Sequence, residues 1–257
     1  MNDKQKKILA VDGVGKYFDK PDKTEKICVL DSIAFDAEDG EIISIVGPSG
    51  CGKSTLLNII GGFEQADQGV VRYEDQSITG PSSERAMVFQ SCALFPWLTV
   101  RQNISYGLQR KKQNEQEIQK QVTQYIKLVG LNGFDGYYPE QLSGGMQQRA
   151  ALARALIMRP RILLMDEPFA ALDSQSRLAM HRLLLEMWQA FKPTILFVTH
   201  EVEEALFLAD KIVVMSERPG RVLRRINIPF ERPRPASLIG DAAFLQMKNS
   251  VQALLFR

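Results

Sequence analysis

The stretch Gly47-Pro48-Ser49-Gly50-Cys51-Gly52-Lys53-Ser54-Thr55 constrains this chain more than any other, because it fits the spacing Gly-x4-Gly-Lys-Ser in full. The apolar run Ile42 to Val46, interrupted only by Ser44, precedes it, and Leu56, Leu57, Ile59 and Ile60 follow. That order reads as a buried strand, a glycine-rich turn and a helix. Such a turn suits a phosphate chain: successive backbone N–H groups point inward, and the helix N-terminus adds a partial positive charge. Gly47, Gly50 and Gly52 let the backbone come close without a Cβ in the way. Lys53 then reaches the β- and γ-phosphates, and the Ser54 hydroxyl ligates Mg²⁺. The bland reading is a glycine-rich connector with a chance Lys-Ser. The strand before and the helix after favour the site, and the implied ligand is a nucleoside triphosphate.

The bulk numbers narrow the class without naming it. At 257 residues the chain can bury a full core, as one large domain or two sub-lobes. Hydrophobic content of 45% and charged content of 24% are those of an ordinary globular protein. A net charge of +2 makes no electrostatic case for nucleic acid, which needs a concentrated basic face. The run Arg110-Lys111-Lys112 opens a polar stretch and reads as a solvated loop. Cys28, Cys51 and Cys92 show neither metal spacing nor a disulfide framework, which fits a reducing compartment. The N-terminal residues are basic but lack an apolar core of signal-peptide length, and no stretch has the length and apolarity of a spanning helix. Any link to a membrane is therefore expected through a partner.

Short β-rich runs fill the first third: Ile8 to Val11, Ile27 to Leu30, Ile33 to Phe35, Ile42 to Val46, Val70 to Tyr73 and Ala86 to Phe89. From about Ser91 to Pro160 the character turns helical, with Ile118, Val122, Tyr125, Ile126 and Val129 recurring at helical spacing. Strand runs return at Ile162 to Met165, Ile195 to Val198 and Ile212 to Met215. Apolar strands alternating with helices argue a parallel α/β core with a helical lobe inserted over 91–160. Beyond Pro219-Gly220 come an extended piece, a Pro-Arg-rich turn at Arg232 to Pro235, and a helix with Phe244, Met247, Val251, Leu254 and Leu255 on one face. That face packs either on the core, the favoured reading, or on a partner.

Ile162-Leu163-Leu164-Met165-Asp166-Glu167 is an apolar strand ending in two carboxylates. In a parallel sheet the ligand lies beyond the strand C-termini, so both acids are expected to meet the phosphate loop. Asp166 suits Mg²⁺ through a bound water, and Glu167 suits polarisation of the attacking water. Alone the pair reads equally well as surface acids capping a strand; after a phosphate loop it becomes a strong signal. Leu142-Ser143-Gly144-Gly145-Met146-Gln147-Gln148-Arg149 opens another helix, with Ser143 as a good N-cap and Gly144 and Gly145 leaving their amides unobstructed. One triphosphate does not need two such cradles, so each is expected to serve a different one. His200 follows a strand and is placed at the same sheet edge, whereas His181 lies mid-helix and receives no role.

Together the phosphate loop, Gln90, Leu142 to Arg149, Ile162 to Glu167, Ala171-Leu172-Asp173 and His200 resemble, in this order, the ATP-binding subunit of an ABC transporter, over roughly residues 8 to 220. The resemblance implies the ABC ATPase fold: a P-loop NTPase core of 1–90 and 161–222 with a parallel sheet and an N-terminal antiparallel β subdomain, a helical signature lobe over 91–160, and a tail over 223–257. It implies a head-to-tail dimer, of two copies or of this chain and a close paralogue, in which each ATP lies between one phosphate loop and the other protomer's Ser143, Gly144 and Gly145. It makes Gln90 a sensor of Mg²⁺ and γ-phosphate, His200 a switch on the γ-phosphate and Asp173 a bridge between protomers. It also implies that Phe18, or adjacent Tyr17, stacks on adenine. Met146 stands where glutamine is commoner and Ala171 where serine is common, and neither change removes a catalytic group.

Among such proteins, chromosome-maintenance and DNA-repair ATPases carry long coiled coils between the two halves, translation-type ones carry two cassettes and fused exporters carry membrane helices; none fits. A detached importer subunit fits best, with an exporter-type subunit as the alternative. The segments Leu94 to Ile104, His200 to Asp210 and Ser216 to Gly220 are similar to the nitrate, sulfonate and taurine branch of importers, which also includes bicarbonate and vitamin-precursor systems. The implied partners are two transmembrane permease subunits, the second ATPase protomer and, indirectly, a periplasmic or lipoprotein solute-binding protein. The implied place is the cytoplasmic face of the cell membrane. Phe95 and Trp97 either seal the helical lobe's own core or line a groove that receives a permease helix.

Overall fold

A computed structural model describes residues 6–20, 25–110 and 114–255. The expectations placed on the first five residues and on Lys111 and Lys112 lie outside these. The chain divides into two units, Met1–Ser82 with Thr194–Arg257, and Ser83–Pro193.

In the first unit, β1 (Lys7–Asp19) and β2 (Lys26–Glu38) form a long antiparallel pair. β4 (Gln68–Tyr73) pairs with the other side of β1, and β5 (Gln76–Ser77) pairs with β4. The two apolar runs Ile27 to Leu30 and Ile33 to Phe35 are thus one strand, not two. Between them Asp31-Ser32 forms a β-bulge: Val14 faces Ile33 and Lys16 faces Leu30, so β2 carries one extra residue, and Ser32 takes φ 52°. A bulge re-aims side chains, and here it turns Asp31 out of the ladder.

The same unit holds β3 (Ile42–Val46), parallel to β8 (Thr194–Thr199) on one side and to β9 (Lys211–Met215) on the other; β10 (Val222–Asn227) closes the edge antiparallel to β9. β3 and β8 are buried along their whole length, as expected of strands covered on both faces. α1 (Lys53–Gly61) follows the glycine-rich turn, and α6 (Val202–Leu208) follows β8. α7 (Ala242–Leu255) lays Phe244 and Val251 on a cluster of Val46, Val202, Ala205, Leu206, Ile212 and Val214, with Met247, Leu254 and Leu255 at its margin. The apolar face read from the sequence therefore packs on the protein's own core. The Pro-Arg turn has a structural task too. Arg234, only 6% exposed, donates from Nη1 to the carbonyls of Leu206, Phe207 and Ala209 and from Nε to Phe230 O, satisfying carbonyls that the end of α6 leaves orphaned.

In the second unit, β6 (Arg85–Val88) runs parallel to β7 (Ile162–Asp166). Around them lie α2 (Val100–Arg110), α3 (Glu115–Leu128), α4 (Gly144–Leu156) and α5 (Ser174–Phe191). α3 buries Ile118, Val122, Tyr125 and Ile126, the positions its periodicity picks out. His181 is buried on α5 with Phe169 edge-on at 4.9 Å.

Candidate functional site

Gly47 to Thr55 forms the turn between β3 and α1, and its shape is fixed before any ligand is considered. Gly50 (φ 74°) and Gly52 (φ 105°) occupy the left-handed region, which glycine enters without the penalty of a Cβ. A Cβ on Gly52 would stand 2.7 Å from Leu30 Cδ2, and one on Gly47 would stand 2.9 Å from Cys51 Sγ. Both glycines are therefore demanded by the chain's own packing. Lys53 is 6% exposed, and its Nζ donates to the carbonyls of Gly47 and Pro48, each at 2.8 Å. The ammonium is thus stored over the loop it would serve. Cys51 is buried with its thiol free, and burial pushes its pKa up, so it stays a neutral packing group.

His200 and this loop leave adjacent strands at one edge: Val46 of β3 faces Thr199 of β8 in parallel register. His200 Nε2 lies 3.8 Å from Glu201 Oε1. Phe18, near the end of β1, is 40% exposed, with Lys16 Nζ 5.2 Å from its ring centroid. Exposure sets it apart from the buried aromatic that a Tyr-Phe pair on a strand suggests.

The second unit repeats the logic with carboxylates. Val88 of β6 faces Met165 of β7, so Gln90 and the pair Asp166-Glu167 emerge from neighbouring strands at the same level. Glu167 has φ 44°, uncommon for a residue with a side chain, and Ala170 N donates back to its carbonyl at 3.3 Å in a tight turn. Pro168 is buried directly after it.

Ser143 caps α4, accepting from Met146 N at 3.4 Å. A Cβ on Gly144 would meet nothing within 4 Å, and one on Gly145 would make only an ordinary contact, Leu172 Cδ2 at 3.7 Å. That contact places the helix start beside Leu172-Asp173. Asp173 caps α5, its Oδ1 accepting from Gln175 N and Ser176 N, both at 3.0 Å, and the hydrogen bond with the Ser176 side chain, followed by these backbone bonds, holds its pKa below the ordinary carboxylate range. In the loop after Gln90, Phe95 packs on Tyr106 at 4.6 Å and under the Arg154 guanidinium at 5.3 Å, while Asn103 ties Phe95, Leu98 and Thr99 through their backbones. Trp97 is 70% exposed, so it seals no core of its own.

Sequence reasoning missed one set of neighbours of the Gly47 to Thr55 turn. Arg218 donates to Gly50 O from Nε at 3.2 Å and from Nη2 at 2.8 Å. Gly220 lies against the loop so closely that a Cβ would stand 2.3 Å from Cys51 O. No local spacing signals a contact between residues so far apart in the chain; the segment stands out only by its likeness to one importer branch. Behind this turn lies a cavity of about 570 Å³, lined by Pro48, Glu217, Arg221, Arg224, Leu254 and Leu255 among others.

Among the described residues, no helix is long and apolar enough to cross a membrane. Comparison with known proteins fits the geometry. The ABC transporter family matches residues 30–170. The taurine import ATP-binding protein of Pelagibacter ubique is 46% identical over 211 residues, covering 82% of this chain and 80% of its own. The nitrate import ATP-binding protein of a Synechocystis strain is 41% identical over 239 residues, covering 91% and 90%. A solved dimeric ATP-binding cassette in a post-hydrolysis state, bound to ADP and Pi, superposes with a TM-score of 0.77 at 31% identity, covering 87% of this chain and all of that one. A glycine-shaped turn between strand and helix, a strand ending in Asp-Glu and a capped Ser-Gly-Gly helix start stand here on one chain, and with this match the chain belongs to the ABC transporter family as an ATP-binding cassette.

Proposed function

We propose that this chain is the ATP-hydrolysing subunit of an ABC importer for a small anion such as nitrate, a sulfonate, taurine or bicarbonate. The observation that carries the ATPase reading is the phosphate loop, with two left-handed glycines and a stored lysine at the head of α1. The cargo class rests on the relatives named for taurine and nitrate import, each aligned over at least four-fifths of this chain. The working division is a nucleotide-binding core of 1–90 and 161–222, a signature lobe of 91–160 and a tail of 223–257.

In this reading Gly47 to Thr55 hold the triphosphate, and Phe18 stacks on adenine. Ser54, Gln90 and Asp166 hold Mg²⁺, which neutralises charge on the phosphates. Glu167 accepts a proton from the attacking water, and its turn at φ 44° supports that role, because strained backbone gathers at functional positions. His200 and Gln90 contact the γ-phosphate. Ser143, Gly144, Gly145 and Asp173 meet the ATP and the surface of a second protomer, a copy or a close paralogue. The exposed Trp97 and its neighbour Phe95 receive a helix of one of two permease subunits, which keeps the cassette at the cytoplasmic face of the membrane. A solute-binding protein acts on the far side.

The test is Glu167→Gln. Turnover falls about 10²- to 10⁴-fold while ATP still binds; hydrolysis at the parent rate would show that another group is the base.

A further inference from the structure

An anion entering the phosphate loop is attracted by amide N–H groups and repelled by carbonyl oxygens, so each peptide there must face the right way. Around Gly50 and Gly52 the backbone has little intrinsic bias, because glycine reaches both signs of φ at similar cost. Some outside contact must set it. In this structure cations hold three of the loop's carbonyls: Lys53 holds those of Gly47 and Pro48, and Arg218 holds that of Gly50 with two N–H groups. These holds differ in permanence. Lys53 has to leave its carbonyls to reach a phosphate, whereas Arg218 is exposed on the turn and has no such second task.

The arm that carries Arg218 is itself fixed. Ser216 Oγ donates within the turn to Pro219 O at 3.0 Å and accepts from Arg221 N at 2.9 Å. Gly220 N donates to Val29 O and Gly220 O accepts from Asp31 N, both at 2.9 Å. Arg221 pairs with Asp31, the residue that the β2 bulge turns outward, with Nε to Oδ2 at 2.8 Å. The same stretch of β2 supplies Leu30 against Gly52. The turn over 216–221 and the bulge of β2 thus form one frame around the loop.

We propose that Arg218 is a positioning residue for triphosphate binding: it holds the Gly50 carbonyl away from the phosphate space while Lys53 exchanges its carbonyls for phosphate oxygens. This rests on the reading of Gly47 to Thr55 as the phosphate site. Equilibrium binding of MgATP and of inorganic tripolyphosphate by the full chain, with Lys53→Ala, Arg218→Ala and Arg218→Lys beside the parent, tests both levels. Loss of one net hydrogen bond predicts that Arg218→Ala binds both ligands about three- to tenfold more weakly. KM for ATP rises with it, kcat falls less, Tm stays at the parent value, and Arg218→Lys recovers part of the affinity through its single ammonium group. Unchanged affinity in Arg218→Ala, a loss for ATP but not for tripolyphosphate, or a loss that tracks a fall in Tm and is not relieved by lysine each overturns the role. Retained ATP binding in Lys53→Ala instead overturns the phosphate-site reading beneath it.

Discussion

The two glycine-rich turns proposed as anion cradles differ in who needs the glycines. At Gly47 to Thr55 the fold itself requires them, through positive φ at Gly50 and Gly52 and through the crowding of Gly52 by Leu30 and of Gly47 by Cys51. At the start of α4 no described residue does. Gly144 and Gly145 are absent from the positive-φ positions, and the chain leaves room for a side chain at both. In a helix interior glycine forfeits about 1 kcal/mol of propensity relative to alanine. A cost with no internal return points to a use outside the chain.

The sharpest way to break this contrast is Ser143→Arg, which fills the bare cradle with bulk and charge. If a second protomer's ATP docks there, turnover drops about 10²- to 10³-fold, the scale of losing an oriented donor at a reacting phosphate, while single-copy ATP binding persists. Sedimentation of Glu167→Gln protein with ATP should show a dimer that the added Ser143→Arg abolishes; a dimer that survives it breaks the contrast. Next in size is Gly52→Ala, which must place a Cβ at φ 105° against Leu30. It should lower stability by about 2–4 kcal/mol in chemical denaturation and take ATP binding with it. Its counterpart Gly144→Ala should leave stability unchanged or raise it by up to about 1 kcal/mol, yet reduce turnover. Equal destabilisation by both alanines would erase the distinction.

The smallest effect concerns the frame around the first cradle. Arg221 holds the Asp31 carboxyl below its ordinary pKa. The pair therefore contributes fully above the unfolded-state value and is lost as pH falls through the lower, folded-state value. ATP affinity, titrated downward from neutral pH, should weaken over that acidic window in the parent. Asp31→Asn should start weaker and respond less; parallel profiles would detach Asp31 from the loop.

How much of this was legible in the sequence depends on whether the physics is local. Strand, turn and helix over Ile42 to Ile60 are written in adjacent residues, as are the caps at Ser143 and Asp173 and the apolar face of α7. The β1–β2 pair reads as shorter pieces because the polar Asp31-Ser32 bulge interrupts an apolar run without ending the strand. The exposure of Trp97 follows from tertiary packing that periodicity cannot reach in a loop. Arg218 and Arg234 act on carbonyls distant in sequence, and a carbonyl leaves no trace in residue identity.

Arg234 also bears on the order in which the chain is made. Residues 83–193 are contiguous, but the first unit joins residues 1–82 to a segment that begins at Thr194. Its α6, which follows His200, keeps orphaned carbonyls until Arg234 arrives to donate to them. At roughly 5–20 residues per second, the stretch from Thr194 to Arg234 takes about 2 to 8 s to synthesise. During that interval the unit carrying Gly47 to Thr55 stands open, with β8 and β9 still to be inserted beside β3.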